Sequence, residues 1–177
     1  EIFEETVVTG EIVDHLLYTK KDVHYKHPED IPFMAKQTRI VLENCASGGH
    51  RLEPGYMALT SMASFSDAHE CVEIPVIAAN LHRVILPRQS QIWAVIRKTD
   101  SLKRISYSVA ATFLGRMCIS GDVWQLNKEQ WAVIDNGIAF YKKIASVIKR
   151  GQSYHFGTEI KSIRHPDGWQ AVLRIGD

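Results

Sequence analysis

Glu43-Asn44-Cys45-Ala46-Ser47-Gly48-Gly49-His50-Arg51, followed by Ser64-Phe65-Ser66-Asp67-Ala68-His69-Glu70, is where two strand-like runs break into polar loops. Arg39-Ile40-Val41-Leu42-Glu43 is a short β-branched run that stops at a cysteine, a serine and paired glycines. A buried strand breaks this way into a loop of unusual backbone geometry, because glycine alone enters the left-handed region freely. Met57 through Phe65 reads as a second buried strand and stops at Asp67. Strands that deliver reactive side chains from their carboxyl ends, alternating with helices, describe an α/β fold. Such a fold is a βα barrel or a doubly wound sheet with its site on that rim.

The composition leaves room for such a core and narrows the partners. A chain of 177 residues buries roughly two-thirds of its surface on folding. Its 45% hydrophobic and 23% charged content is ordinary for a globular domain. A net charge of +1 supplies no field for phosphate backbones or anionic lipid, so neither nucleic acid nor a membrane is expected as a partner. Cys45, Cys71 and Cys118 lie far apart with no Cys-x-x-Cys pair, which argues against a disulfide framework and a zinc knuckle. Reduced thiols fit a cytoplasmic location. No apolar run approaches the roughly 20 residues that span a bilayer, and no signal-like amino terminus is present. The chain begins at Glu1 without a Met and stops inside the strand-rich run Trp169 to Ile175, so a larger protein is expected to surround it.

Before Arg39 the pattern is weak. Thr9-Gly10 reads as a turn, Ile12 to Tyr18 as a short amphipathic helix, Lys20 to Pro32 as a charged loop and Phe33 to Gln37 as a helix end. His24 and His27 are spaced like metal ligands, but Lys26 and Pro28 beside them and the lack of a third ligand in register favour a solvated loop. After Arg51, residues 51–55 read as a turn around Pro54-Gly55. Ala68 to Val84 reads as a helix with Pro75 in its first turn or at a kink, which would stabilise a nearby Asp67 as an anion.

Ser90 to Arg97 is the next expected strand. Asp100 or Ser101 can cap a helix carrying Ile105, Val109 and Phe113 on one face, and Phe113 to Ile119 returns as a strand closing at Ser120-Gly121-Asp122. The clearest element is a helix over 128–150. Asn127 and Gln130 form a capping-box pair, Trp131, Ile134, Ile138, Tyr141, Ala145 and Ile148 make an apolar stripe, and Gly151 offers a left-handed stop. From Gln152 the period changes to two. Tyr154 to Ile163 and Trp169 to Ile175 read as strands around the turn His165-Pro166-Asp167-Gly168. The domains expected are therefore residues 1–151, an α/β unit, and residues 152–177, the start of a β unit.

Ser47 beside two glycines invites a hydrolase nucleophile, yet the residue two before it is Cys45, so there is no Gly-x-Ser-x-Gly elbow. Cys45 as a nucleophile would need a neighbouring base that no spacing guarantees. A tight loop that lets backbone approach a ligand is the simpler account, and it suits a sugar-binding rim. Asp67 and Glu70, three apart, are by spacing alone an ordinary helix start.

Taken together, these motifs resemble the family thirty-six glycoside hydrolases, the melibiase-type α-galactosidases. The pattern is Cys-x-Ser-Gly-Gly-x-Arg, met by Cys45, Ser47, Gly48, Gly49 and Arg51, then a Ser-Asp dipeptide with an acid three positions on, met by Ser66-Asp67 and Glu70. The likeness continues through Gly115, Gly121-Asp122 and the helix end from Tyr141 to Gly151, so it covers roughly residues 38 to 177.

The resemblance implies the second half of a (β/α)8 barrel followed by the start of a β-sandwich. It also implies a retaining, exo-acting hydrolase of terminal α-galactosides in oligosaccharides, working without cofactor or metal and homo-oligomeric when intact. Asp67 would be the general acid/base, and Cys45, Ser47, Gly48, Arg51 and Ser64 would be the substrate-binding residues, with Cys45 and Gly48 lining the galactose subsite and Arg51 supporting the loop. Three departures stand beside it. The family's nucleophilic Asp in a Lys-x-Asp context has no counterpart here, and a whole barrel takes about 250 residues, so the chain alone should not turn over substrate. Ser64 stands where many members carry Trp, and Glu53 where Asp is frequent. Ser64 keeps open an α-N-acetylgalactosaminidase or galactosyl-transferring relative, and a non-catalytic carbohydrate-binding protein is the reading from another class.

Overall fold

The computed structural model describes residues 6–8, 40–45, 48–49 and 51–176. The readings placed on Thr9-Gly10, Ile12 to Tyr18, Lys20 to Pro32 with His24 and His27, Phe33 to Gln37 and Ser47 lie outside them. The architecture is α/β, with parallel strands and a separate antiparallel pair. It divides into two compact units, Glu1–Ser66 and Asp67–Asp177.

In the first unit, strands β1 (Thr6–Val8), β2 (Ile40–Cys45) and β3 (Met62–Ser64) run parallel. Register pairs Val7 with Val41 and Asn44 with Ala63. Helix α1 (Pro54–Leu59) connects β2 to β3, where the sequence reads as a turn and then a long strand. The Glu53 carboxylate explains the difference. It accepts from the backbone N–H groups of Gly55 at 2.9 Å and Tyr56 at 2.7 Å, so two donors at the helix start are satisfied and Pro54 sits where its missing N–H costs nothing. Only Met62, Ala63 and Ser64 remain as strand, all buried as parallel strands are.

In the second unit, helix α2 (Glu73–Leu81) starts later than its sequence pattern, with Pro75 inside the first turn. Strand β4 (Ser90–Ile96) lies parallel to β5 (Arg116–Gly121), from Gln91 opposite Arg116 to Ile96 opposite Gly121. Between them runs α3 (Leu102–Ala111), capped by the Ser101 hydroxyl, which accepts from the Arg104 N–H. Phe113 falls in a 3-10 turn, Thr112–Leu114, so β5 begins at Arg116 instead of Phe113. Helix α4 (Lys128–Arg150) has the expected reciprocal capping box, Asn127 with Gln130. Gly151 does not adopt the left-handed stop; at φ −69° and ψ 150° it is extended, because the chain passes straight into the next strand.

Ala94 and Ile96 of β4, Ile105 and Val109 of α3 and Ile134 of α4 form the buried centre. Each of the isoleucine and valine side chains contributes about 1.5–3 kcal/mol by leaving water. Gln130, and not Trp131, is the residue of the first turn of α4 that turns inward. Its amide donates to the carbonyls of Lys98 at 3.1 Å and Asp100 at 3.0 Å, so the buried polar group is fully partnered. Gly137 lies where a Cβ would run into Val109, which lets α3 and α4 approach closely.

Strands β6 (Gln152–Gly157) and β7 (Gln170–Ile175) pair antiparallel. They are shorter than their sequence runs, and residues 158–169 connect them. Exposure alternates along both: Ser153, His155, Val172 and Arg174 turn inward, while Tyr154, Phe156, Leu173 and Ile175 face out. Asn80 of α2 and Gln170 of β7 exchange amide hydrogen bonds at 3.1 and 3.4 Å. No described helix is long and apolar enough to cross a membrane.

Candidate functional site

Cys45 ends β2 and Ser64 ends β3, and the two are direct register partners across the parallel pair. This follows from the short connection through α1, which brings both carboxyl ends to one edge of the first unit. Beyond Cys45, Gly48 (φ 78°) and Gly49 (φ 101°) both occupy the left-handed region, which a side chain would strain at each position.

The loop is closed at its base by two hydrogen bonds that cross. The Asn44 amide donates to the Arg51 carbonyl at 2.8 Å, and Arg51 Nη1 donates to the Cys45 carbonyl at 3.2 Å. Asn44 is buried and also lies 3.9 Å from the Met57 sulfur of α1. Asn44 belongs to neither of the two sequence motifs. The available signal is a carboxamide one residue from the end of a strand, before a loop of small residues where backbone groups need side-chain partners. Cys45 is a partly exposed free thiol, and Ser64 is 5% exposed. Ser47 lies outside the described residues.

Asp67 opens the second unit and is exposed. Helix α2 begins only at Glu73, so Asp67 stands outside its first turn and the helix dipole, which fades within one turn, does not act on it. Glu70 has a different setting. Its backbone carbonyl receives the N–H groups of Glu73 and Ile74, and its carboxylate accepts from Arg104 Nη2 at 2.9 Å. Arg104 Nε also lies 3.0 Å from Asp100 Oδ1, an ion pair without hydrogen-bond alignment. The Glu70 hydrogen bond raises the Arg104 guanidinium above its ordinary range. Of the two acids in the motif, Glu70 is held by a cation and Asp67 faces solvent. His69, between them, stacks on Trp93 of β4 with ring centroids 5.5 Å apart and a 45° tilt. Among the described residues, no group of three or more His, Cys, Asp or Glu side chains is placed to hold a metal ion.

Solved structures share this fold. The α-galactosidase AgaA of Geobacillus stearothermophilus, crystallised with raffinose, superposes with a TM-score of 0.65 at 16% identity, over 72% of this chain and 18% of that one. The α-galactosidase of Lactobacillus brevis gives 0.63 at 18% identity with the same coverages. The galactosidase domain of the α-galactosidase-sucrose kinase AgaSK gives 0.64 at 14% identity, over 85% of this chain and 22% of that one. The chain thus spans about a fifth of the length of the α-galactosidase structures it matches. No curated protein sequence matches it. The sequence profile of the Melibiase family matches residues 31–151, more than half of the chain and both motif segments within it, and on that match the chain belongs to the melibiase family.

Proposed function

We propose that this chain is part of a retaining, exo-acting α-galactosidase that removes terminal α-galactosyl residues from oligosaccharides. Residues 1–151 contribute the second half of a (β/α)8 catalytic barrel, and residues 152–177 begin a β-sandwich. The change from parallel strands with helices to an antiparallel pair after Gly151 supports that division. AgaA structures with raffinose and with stachyose support the substrate class.

The observation that carries the reading is the pairing of Cys45 with Ser64 at the carboxyl ends of adjacent parallel strands, next to a glycine loop held by Arg51. In βα architectures this is the rim on which sites are built. Cys45, Ser47, Gly48 and Ser64 then border the galactose subsite. Asp67 is the general acid/base: its carboxyl proton passes to the glycosidic oxygen as the leaving sugar departs, and its carboxylate later takes a proton from the attacking water. A second carboxylate, supplied from outside residues 1–177, is the nucleophile, about 5–5.5 Å from Asp67 as retention requires. The enzyme is cytoplasmic and homo-oligomeric in this reading, and two carboxylates suffice without a cofactor.

Asp67→Asn in the longer enzyme tests it. Hydrolysis of nitrophenyl α-galactoside is expected to fall by a factor of at least 10³ while galactose binding persists. Unchanged turnover would remove Asp67 from the mechanism, and sugar binding without cleavage by the unmodified enzyme would favour a carbohydrate-binding protein.

A further inference from the structure

The β6–β7 hairpin meets α2 through the Asn80–Gln170 amide pair, and on its inward face one further side chain ties it to the rest of its unit. Arg174, on the inward face of β7, donates from Nε to the Ser153 hydroxyl of β6 at 2.9 Å. Its two terminal nitrogens reach the carbonyls of the 3-10 turn, Nη2 to Leu114 at 3.0 Å and Nη1 to Phe113 at 3.4 Å. Nη2 also lies 3.3 Å from Nδ1 of His82, the residue that closes α2.

A guanidinium only donates. His82 Nδ1 must therefore be the acceptor, which places the ring proton on Nε2, a buried atom without a hydrogen-bond partner. Placing a proton on Nδ1 as well would turn this contact into two donors and two positive charges. The ionisable groups facing His82 are Arg174 from β7 and His155 from β6, whose ring stands edge-on at 6.0 Å. Both are bases, and Tyr141 of α4 is the neighbour that acts on Arg174. The carboxyl end of α2 would favour a cation. Burial, then Arg174 and His155, outweigh it and lower His82 to about 4. Beside the cluster, Asn80, Arg83, His155 and Gln170 line a cavity of about 330 Å³.

We propose that Arg174 and His82 form an acid-sensitive latch, in which protonation of His82 expels the guanidinium and loosens the β6–β7 hairpin from the 3-10 turn and the end of α2, leaving the Asn80–Gln170 pair as its tie to α2. The latch is independent of the glycosidase reading, because none of its groups belongs to the Asp67 or Cys45 loops.

The test is amide hydrogen exchange, with NMR titration of the histidine rings, on the 177-residue chain between pH 7.5 and 3.5. After correction for intrinsic rates, exchange in β6 and β7 is expected to rise on the order of tenfold to a hundredfold as His82 titrates, while the Ile134 region of α4 stays protected. His82→Asn keeps an acceptor without a titrating group, and hairpin exchange should then be flat across the range. Arg174→Met should leave the hairpin fast-exchanging at every pH with α4 intact. Hairpin protection that survives protonation of His82 in the unmodified chain, or hairpin and α4 opening together, would overturn the latch whether or not either variant folds.

Discussion

The Asn44 side chain donates to the Arg51 carbonyl at 2.8 Å while the Arg51 side chain donates to the Cys45 carbonyl at 3.2 Å, so each residue holds the other's end of the glycine loop. The two bonds differ in setting, since Asn44 is buried and Arg51 exposed. Asn44→Ala leaves a part-buried carbonyl unpaired and is expected to cost about 1–3 kcal/mol in urea unfolding. Arg51→Ala should cost less than about 1 kcal/mol, because water replaces the lost donor. Equal losses would show that the loop is not clamped from the buried side.

Asp67 and Glu70 should separate cleanly on mutation. Glu70 is engaged by Arg104 in an exposed pair, so Glu70→Gln is expected to change stability by under about 1 kcal/mol. In the longer enzyme it should leave more than a tenth of the galactosidase activity, whereas Asp67→Asn should leave almost none. Comparable loss of kcat in both variants would assign the chemistry to the pair.

Gln130 carries three jobs at the start of α4: it completes the capping box and satisfies the Lys98 and Asp100 carbonyls. Gln130→Leu keeps the volume and removes the three side-chain bonds, leaving the backbone N–H of residue 130 on Asn127. A loss of about 2–3 kcal/mol in thermal or chemical unfolding is expected, against near neutrality for Trp131→Leu on the exposed side.

Gly137 and Val109 should couple. Gly137→Ala puts a methyl group into Val109 and is expected to cost about 1–3 kcal/mol. Val109→Ala removes the obstruction at its own cost, and the double variant should be more stable than the two single losses predict by about 0.5–2 kcal/mol. Strict additivity would mean that the helices shift apart instead.

Stability should fall with acid in a defined window. His82 is lowered from 6.5 to about 4, so below pH 6.5 the unfolded chain takes up a proton that the folded chain refuses. The contribution is complete above pH 6.5 and is lost as pH falls through 4. Allowing for solvent screening, it amounts to on the order of 1–2 kcal/mol, read as a drop in Tm. His82→Asn should remove this component of the pH dependence while leaving that of the carboxylates.

Much of the fold was legible in the chain itself. Helix α4 declared itself through the Asn127–Gln130 box and its 3.6-residue stripe, β4 through its apolar run, and the hairpin through its change to period two, because each signal is local and needs only the residue order. The two motifs around Cys45 and Asp67 placed the chain in its family on the same local footing. What tertiary structure alone decided were the pairings across loops and between elements: Glu53 turning a supposed strand into α1, Cys45 meeting Ser64, Asn44 clamping Arg51, Gln130 taking the buried place expected for Trp131, and Arg174 finding His82. A polar side chain satisfies whichever unpaired donor or acceptor the folded backbone brings within 3 Å or so, and that proximity is set by the path of the chain, which periodicity does not encode.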